Sequence, residues 1–144
     1  MNETVERVLE HKGDGIEAVP PHTTVLDAVR RMNDCKIGSL LVLDGDRLVG
    51  IFTERDVLTR VVARAVDQKK VLVGEVMTRQ VLTIPCTTTV EEAMIIMTDT
   101  RRRHIPVLRD SVLVGLVSIG DLTRFVVRDQ QRTIEDLTDF VRRS

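Results

Sequence analysis

Two stretches of this chain place a carboxylate three residues after a hydroxyl and six after a glycine: Gly50-Ile-Phe-Thr-Glu-Arg-Asp56 and Gly115-Leu-Val-Ser-Ile-Gly-Asp121. The Gly lets a ligand or another stretch of backbone come close, and the Thr or Ser stands where an extended run turns into a helix. The Asp falls in that helix's first turn. A helix start offers free amides and a partial positive potential that suit phosphate, and a carboxylate accepts two hydroxyl hydrogen bonds, which suits a ribose diol. Together they suit a nucleotide. Ser/Thr-x-x-Asp is also an ordinary capping box that stabilises a helix with no ligand present, and the spacing leaves both readings open.

The stretches match because the chain repeats itself. Residues 16–62 align with residues 81–127 at an offset of 65 without a gap, and 15 of the 47 positions are identical, among them Pro20/Pro85, Thr24/Thr89, Ala28/Ala93, Met32/Met97 and Asp56/Asp121. Like units in one chain tend to pack about a pseudo-twofold axis, with equivalent polar residues paired around a shared cleft.

Each repeat opens with a short extended run, Ile16–Val19 or Val81–Ile84, stopped by Pro20 or Pro85. Thr24-Val-Leu-Asp27 and Thr89-Val-Glu-Glu92 then read as capping boxes, each starting a helix with an apolar stripe that ends near residue 35 or 100. Hairpins follow, Ser39–Leu43 with Leu48–Thr53 and His104–Leu108 with Leu113–Ser118, and then second helices over about 54–67 and 119–129. The expected fold is α/β in the α+β sense: two tandem β-α-β-β-α units. Residues 68–76 are mixed apolar and charged, which predicts a packed connection. Outside the repeats, Thr4–Lys12 has the spacing of a short helix, and Thr133-Ile-Glu-Asp136 reads as a cap before an amphipathic stripe of Ile134, Leu137, Phe140 and Val141. The division expected is an N-terminal helix with the first unit over 1–72, the second unit over 73–130, and a C-terminal helix over 131–144.

Composition narrows the function. Charged residues are 30% of the 144 and cancel to −1, so no general field draws the protein to nucleic acid, and three Phe with no Tyr or Trp leave no stacking platform for single strands. No apolar stretch approaches the roughly 20 residues of a membrane span, and the amino terminus has no signal-peptide core, so a cytoplasmic protein is expected. Cys35 and Cys86 stand at unmatched positions without metal-ligand spacing and are read as structural thiols. His11, His22 and His104 are scattered and no nucleophile sits in a recognisable elbow, so neither a metal site nor an enzyme is expected.

The apolar strand ending in Pro, the Thr-capped helix, the Ile-Pro-Val strand at 105–107 and the Leu-Val-Gly-h-h-Thr/Ser-x-x-Asp turn, each in place over roughly residues 10–130, resemble the CBS domain, named after cystathionine β-synthase. Two in tandem form a Bateman module. The resemblance implies clefts for adenosine-containing ligands: AMP, ADP, ATP, NAD(H) or S-adenosylmethionine. By that resemblance Asp56 and Asp121 hold ribose hydroxyls, Thr53 and Ser118 contact ribose or phosphate, and Ala18, Val19, Thr83 and Ile84 lie near the base. Arg103 and His104, just before the Ile-Pro-Val strand, and Arg55 are phosphate candidates; Arg101 and Arg102 are read as solvated caps on a helix end. The first repeat has Lys36-Ile-Gly-Ser39 where the second has this basic run, so the two sites should differ. The resemblance further implies a homodimer that reports ligand occupancy to a regulated protein. The rival expectation is a ligand-free scaffold for dimerisation and docking.

Overall fold

A computed structural model describes residues 3–13 and 15–143. In chain order the elements are α1 (Val5–Lys12), β1 (Ala18–Val19), α2 (Val25–Cys35), β2 (Ser39–Asp44), β3 (Arg47–Thr53), α3 (Glu54–Asp56), which runs on into a π-helical turn at Val57–Val62, α4 (Val73–Val76), β4 (Ile84–Pro85), α5 (Val90–Thr100), β5 (His104–Arg109), β6 (Val112–Ser118) and α6 (Ile119–Arg143). The described residues form two compact units, residues 15–82 and residues 3–13 with 83–143. The fold is mixed α+β, with one three-stranded sheet in each unit.

The sheets are copies of each other. In the first, β1 runs parallel to β2 with Ala18 opposite Leu41, and β2 pairs antiparallel with β3. In the second, β4 runs parallel to β5 with Ile84 opposite Val107, and β5 pairs antiparallel with β6. Even the irregularities recur: each hairpin carries a bulge at the same place, Val42/Leu43 and Val107/Leu108. The strands of β2 and β5 are continuous apolar runs because both faces are covered.

Helices α2 and α5 begin where the sequence places them. Thr24 Oγ1 accepts from Asp27 N at 3.2 Å and Thr89 Oγ1 from Glu92 N at 3.1 Å. Both stop at a residue in the left-handed region, Lys36 (φ 55°) and Arg101 (φ 56°). In each case the next amide reaches back to a Met carbonyl, Ile37 N to Met32 O and Arg102 N to Met97 O, both at 3.0 Å, which closes the helix in a Schellman turn. Val25, Ala28 and Met32, and Val90, Ala93 and Met97, are buried against the sheets.

Each unit is completed by a short helical segment from elsewhere in the chain. In the second unit Val5 N donates to Thr88 O (2.8 Å), Glu6 N to Cys86 O (3.2 Å), and Val90 N to Glu3 O (2.8 Å). In the first, Val73 N donates to Thr23 O (2.8 Å), Gly74 N to Pro21 O (2.9 Å), and Val25 N to Val71 O (2.9 Å). The segment carrying α4 therefore plays for the first repeat the part that the one carrying α1 plays for the second. Leu9 lies over Gly115, and Met77 with the carbonyl of Thr78 lies over Gly50, so both glycines are needed for close approach of the protein itself.

Four segments differ from expectation. The N-terminal helix goes with the second repeat, and residues 73–82 with the first. The helix after Thr53 does not run as an α-helix to residue 67: from Val57 it widens, with Ala63 N bonded to Leu58 O, and Ala65 ends it at φ 53°. The helix after Ser118 passes through the supposed boundary at 130. No Gly or Pro interrupts residues 121–143, and Thr133, read as a cap, donates its hydroxyl to Asp129 O within a continuous helix.

Candidate functional site

Both Thr/Ser-x-x-Asp turns close as reciprocal caps. Asp56 N donates to Thr53 Oγ1 (3.2 Å) while Thr53 N donates to Asp56 Oδ2 (3.0 Å), and in the other unit Asp121 N donates to Ser118 Oγ (3.0 Å) while Ser118 N donates to Asp121 Oδ2 (2.9 Å). The carboxylates are held at the mouth of each β3–α3 or β6–α6 corner by this geometry. What surrounds them differs.

Asp56 is 5% exposed, and both of its carboxylate oxygens have partners. The Thr53 hydroxyl also donates to Oδ2 at 3.2 Å, the Thr78 hydroxyl donates to Oδ1 at 3.0 Å, and the Arg60 guanidinium stands 3.8 Å from Oδ1. Arg60 is anchored in turn by the carbonyls of Met77 (2.7 Å) and Val76 (3.3 Å). A diol reaching Asp56 would compete with the Thr78 hydroxyl for Oδ1. Arg55 is exposed on α3, and Ala18 and Val19 lie on β1, on the far side of β2 from Thr53.

Asp121 is 10% exposed on its side chain and meets two exposed cations. Lys12 Nζ, from α1, donates to Oδ2 at 2.9 Å and to Leu116 O at 2.8 Å, and Arg124 Nη2 donates to Oδ1 at 2.8 Å. Burial by itself pushes the Asp121 carboxyl up. The Lys12 hydrogen bond, the Ser118 amide, the Lys12 charge and the Ser118 hydroxyl outweigh it and hold the group below the ordinary carboxylate range. Beside it opens a groove of about 230 Å³ between α1 and α6, lined by His11, Lys12, Arg124, Phe125 and Arg128.

His104 pairs across the ladder with Ser118, and Arg103 O accepts from Ile119 N at 2.9 Å, so these two candidates stand at the same corner as Ser118 and Asp121. Arg103 lines a second groove, about 350 Å³, with Arg101, Arg102, Met97, Thr98 and Ile119. Arg101 and Arg102, expected to be solvated caps, therefore share this groove with Arg103. Thr83 is half-buried just before β4, and Ile84 is buried on it, separated from β6 by β5.

Sequence reasoning missed Arg60, Thr78, Lys12 and Arg124. Arg60 and Arg124 carry a signal, since each lies one helical turn after its Asp. Thr78 and Lys12 reach their carboxylates across 22 and 109 residues, and no local spacing announces them. Among the described residues no group of three His, Cys, Asp or Glu side chains converges as metal ligands, and no helix is long and apolar enough to cross a membrane.

Comparison with known proteins places this geometry in context. The family model described as the CBS domain matches twice, over residues 14–63 and 73–128. The chain is 35% identical over 147 aligned positions to the CBS domain-containing protein CBSX3, mitochondrial, of Arabidopsis thaliana, covering 96% of this chain and 71% of that one. A solved protein with CBS domains from Burkholderia ambifaria superposes with a TM-score of 0.84 at 41% identity, covering 88% of this chain and 96% of that one. CBSX2, solved in complex with AMP, shares the fold at a TM-score of 0.72 and 24% identity, over 89% of this chain and 98% of that one.

Proposed function

This chain belongs to the CBS-domain family, and on that premise we propose that it is a regulatory protein that binds an adenosine-containing ligand and passes its occupancy to a partner protein. The ligand is AMP, ADP, ATP, NAD(H) or S-adenosylmethionine, and the role is binding without catalysis, in the cytoplasm. The observation that carries this reading is the duplicated cap whose carboxylate sits at a strand-to-helix corner, in one copy beside exposed cations. Asp121 and Ser118 take the ribose, Arg103 and His104 lie on the phosphate side, and Thr83 and Ile84 lie toward the base. Asp56, Thr53, Arg55, Ala18 and Val19 form the corresponding set in the first repeat. That the CBS fold can carry AMP, as CBSX2 does, supports the choice of ligand.

The second set is the stronger site. Lys12 and Arg124 are long side chains, 39% and 64% exposed, and can leave Asp121 for solvent or phosphate, whereas Thr78 at Asp56 is fixed by backbone bonds to Ile51. One reading competes. Every oxygen of the two carboxylates already has a hydrogen-bond partner within the protein, which favours a scaffold whose motifs serve only as caps. A thermal-shift panel of the adenosine ligands separates the two: ligand at 100 times its Kd adds about 2.7 kcal/mol to stability, several degrees for a chain of this size. A panel that leaves the melt unmoved at millimolar concentration gives the case to the scaffold.

The partner includes a second copy of the chain. Residues 131–143 of α6 are exposed, and Val127, Ile134 and Val141 recur at intervals of seven, with Leu137 on the same face. Val127 and Val141 are symmetric about Ile134. An antiparallel copy sets Val127 against Val141 and Ile134 against itself, so the apolar stripe complements itself.

A further inference from the structure

Each closing segment does more than cover its sheet: it hands a donor to the carboxylate of the repeat that it completes. The segment carrying α4 sends the Thr78 hydroxyl to Asp56 Oδ1, and α1 sends Lys12 Nζ to Asp121 Oδ2 at 2.9 Å. The two donors are held differently. Thr78 is fixed to Ile51 through both its amide and its carbonyl, whereas Lys12 stands in the last turn of α1 at the tip of a long side chain. The anchoring of α1 is itself uneven. Its start is fastened by buried Val5 and Val8, by backbone bonds to Cys86 and Thr88, and by the ion pair of Glu6 with Arg109. Beyond Leu9 the side chains of Glu10, His11 and Lys12 are exposed. What ties them down is Lys12, through Asp121 Oδ2 and Leu116 O, and the edge-to-face contact of His11 with Phe125.

We propose that α1 is an autoinhibitory latch on the second repeat: Lys12 holds the carboxylate oxygen that a ribose diol needs, and a nucleotide enters by displacing it, which frees the last turn of α1. The inference rests on the nucleotide reading above and adds to it a competitor supplied by the chain itself. Asp121 Oδ2 accepts from the Ser118 amide and from Lys12, which uses both of its lone pairs, while Oδ1 holds Arg124 and has room for another donor. A diol that spans both oxygens therefore takes the place of Lys12. The Ser118 amide cannot yield without breaking the cap, and Arg124 sits on the other oxygen. With Lys12 gone, the end of α1 keeps only the His11 contact, while its start stays seated on Val5 and Val8. Ligand occupancy is thereby written into the order of one helical turn, on the surface of the second unit.

Lys12→Met keeps the stem and the helix propensity while removing the ammonium, so it opens the latch without unseating α1, and melting curves confirm that it is folded. Adenosine is the probe, because it carries the diol and no phosphate for Lys12 to attract. By calorimetry Lys12→Met should bind adenosine about two- to fivefold more tightly than the parent, the worth of a partly exposed ion pair. Linkage requires the same factor in reverse. Saturating adenosine should speed amide exchange at residues 10–13 of the parent about two- to fivefold and leave Lys12→Met, whose turn is already loose, unchanged. Arg124→Met removes a cation that α6 itself supplies, so exchange at residues 10–13 should stay as in the parent. Equal adenosine affinity in the parent and Lys12→Met, slower exchange over residues 10–13 in the adenosine complex, or a turn loosened equally by Arg124→Met overturns the latch and leaves the nucleotide reading in place. If adenosine, AMP and ATP bind neither the parent nor Lys12→Met, the nucleotide reading falls and the latch with it.

Discussion

The glycines of the two motifs are equivalent in sequence and unequal in surroundings, and that inequality can be measured. A methyl group added at Gly50 would stand 2.9 Å from Thr78 O and 2.9 Å from Met77 Cγ, with the sulfur closer still. Thr78 cannot retreat: its carbonyl accepts from Ile51 N (3.0 Å), its amide donates to Ile51 O (2.9 Å), and its hydroxyl is on Asp56. At Gly115 the methyl would meet only the Leu9 side chain, Cδ2 at 2.7 Å and Cδ1 at 2.9 Å. A leucine terminus can turn away. Gly50→Ala should therefore cost about 1–3 kcal/mol, the usual penalty of overpacking against immovable atoms. Gly115→Ala should fall within about 1 kcal/mol of the parent, because the entropy Gly loses in a strand offsets part of the crowding. Urea unfolding of both variants reads the difference, and a cycle identifies its cause. Leu9→Ala should abolish whatever Gly115→Ala costs, while Met77→Ala should recover only part of the Gly50→Ala loss. Equal costs at the two glycines, or complete rescue of Gly50→Ala by Met77→Ala, would refute the argument.

Three further predictions concern Asp121 and the last helix. The Asp121 carboxyl lies below its ordinary value in the folded protein, so its contribution is fully present above the unfolded pKa of about 3.9 and is lost as pH falls through the folded value. Asp121→Asn should cost about 1 kcal/mol at pH 7, since both its cationic partners are partly exposed, and the gap to the parent should close below about pH 4. The same variant should bind nucleotide about tenfold to a hundredfold more weakly; a variant that melts low yet binds like the parent would make the motif a cap alone. On light scattering the parent should run at twice 16.2 kDa and Ile134→Glu at 16.2 kDa, and a parent that stays at the lower mass across concentrations would sink the paired α6.

The sheets, the capped helices and the hairpins were legible because each is written locally, in an alternation, a Thr three residues before a carboxylate, or a turn between two apolar runs. What closes each unit was not. Val5, Val8 and Leu9 reappear as Val73, Val76 and Met77, but at an offset of 68, and a search for an ungapped repeat at 65 stops short of them. The insertion lies between α1 and β1. For the same reason Lys12 and Thr78 stayed invisible as partners of the carboxylates: their positions depend on a segment docking at long range. The length of α6 was missed for a different cause, since Thr133-Ile-Glu-Asp136 is a sound cap sequence that goes unused when the residues before it are already helical. The Asp residues were legible as caps, while the donors on their other oxygens were not, because a motif records which atoms can accept and not which donors the fold delivers.

The exchange of closing segments also sets an order of events as the chain is made. Thr4 bridges to Thr89, so the helix that leaves the ribosome ahead of both repeats finds its seat only after 85 more residues have followed it. At about 5–20 residues per second that is a delay of roughly 4–17 s. The first repeat meets no such wait, because Leu72 bridges to Thr24 within its own stretch of chain. During the interval Val5 and Val8, both buried at the end, stand open on a short helix too brief to persist alone. The first repeat can thus be folded while the second is still being synthesised, and α1 docks only once residues near Thr89 are available to receive it.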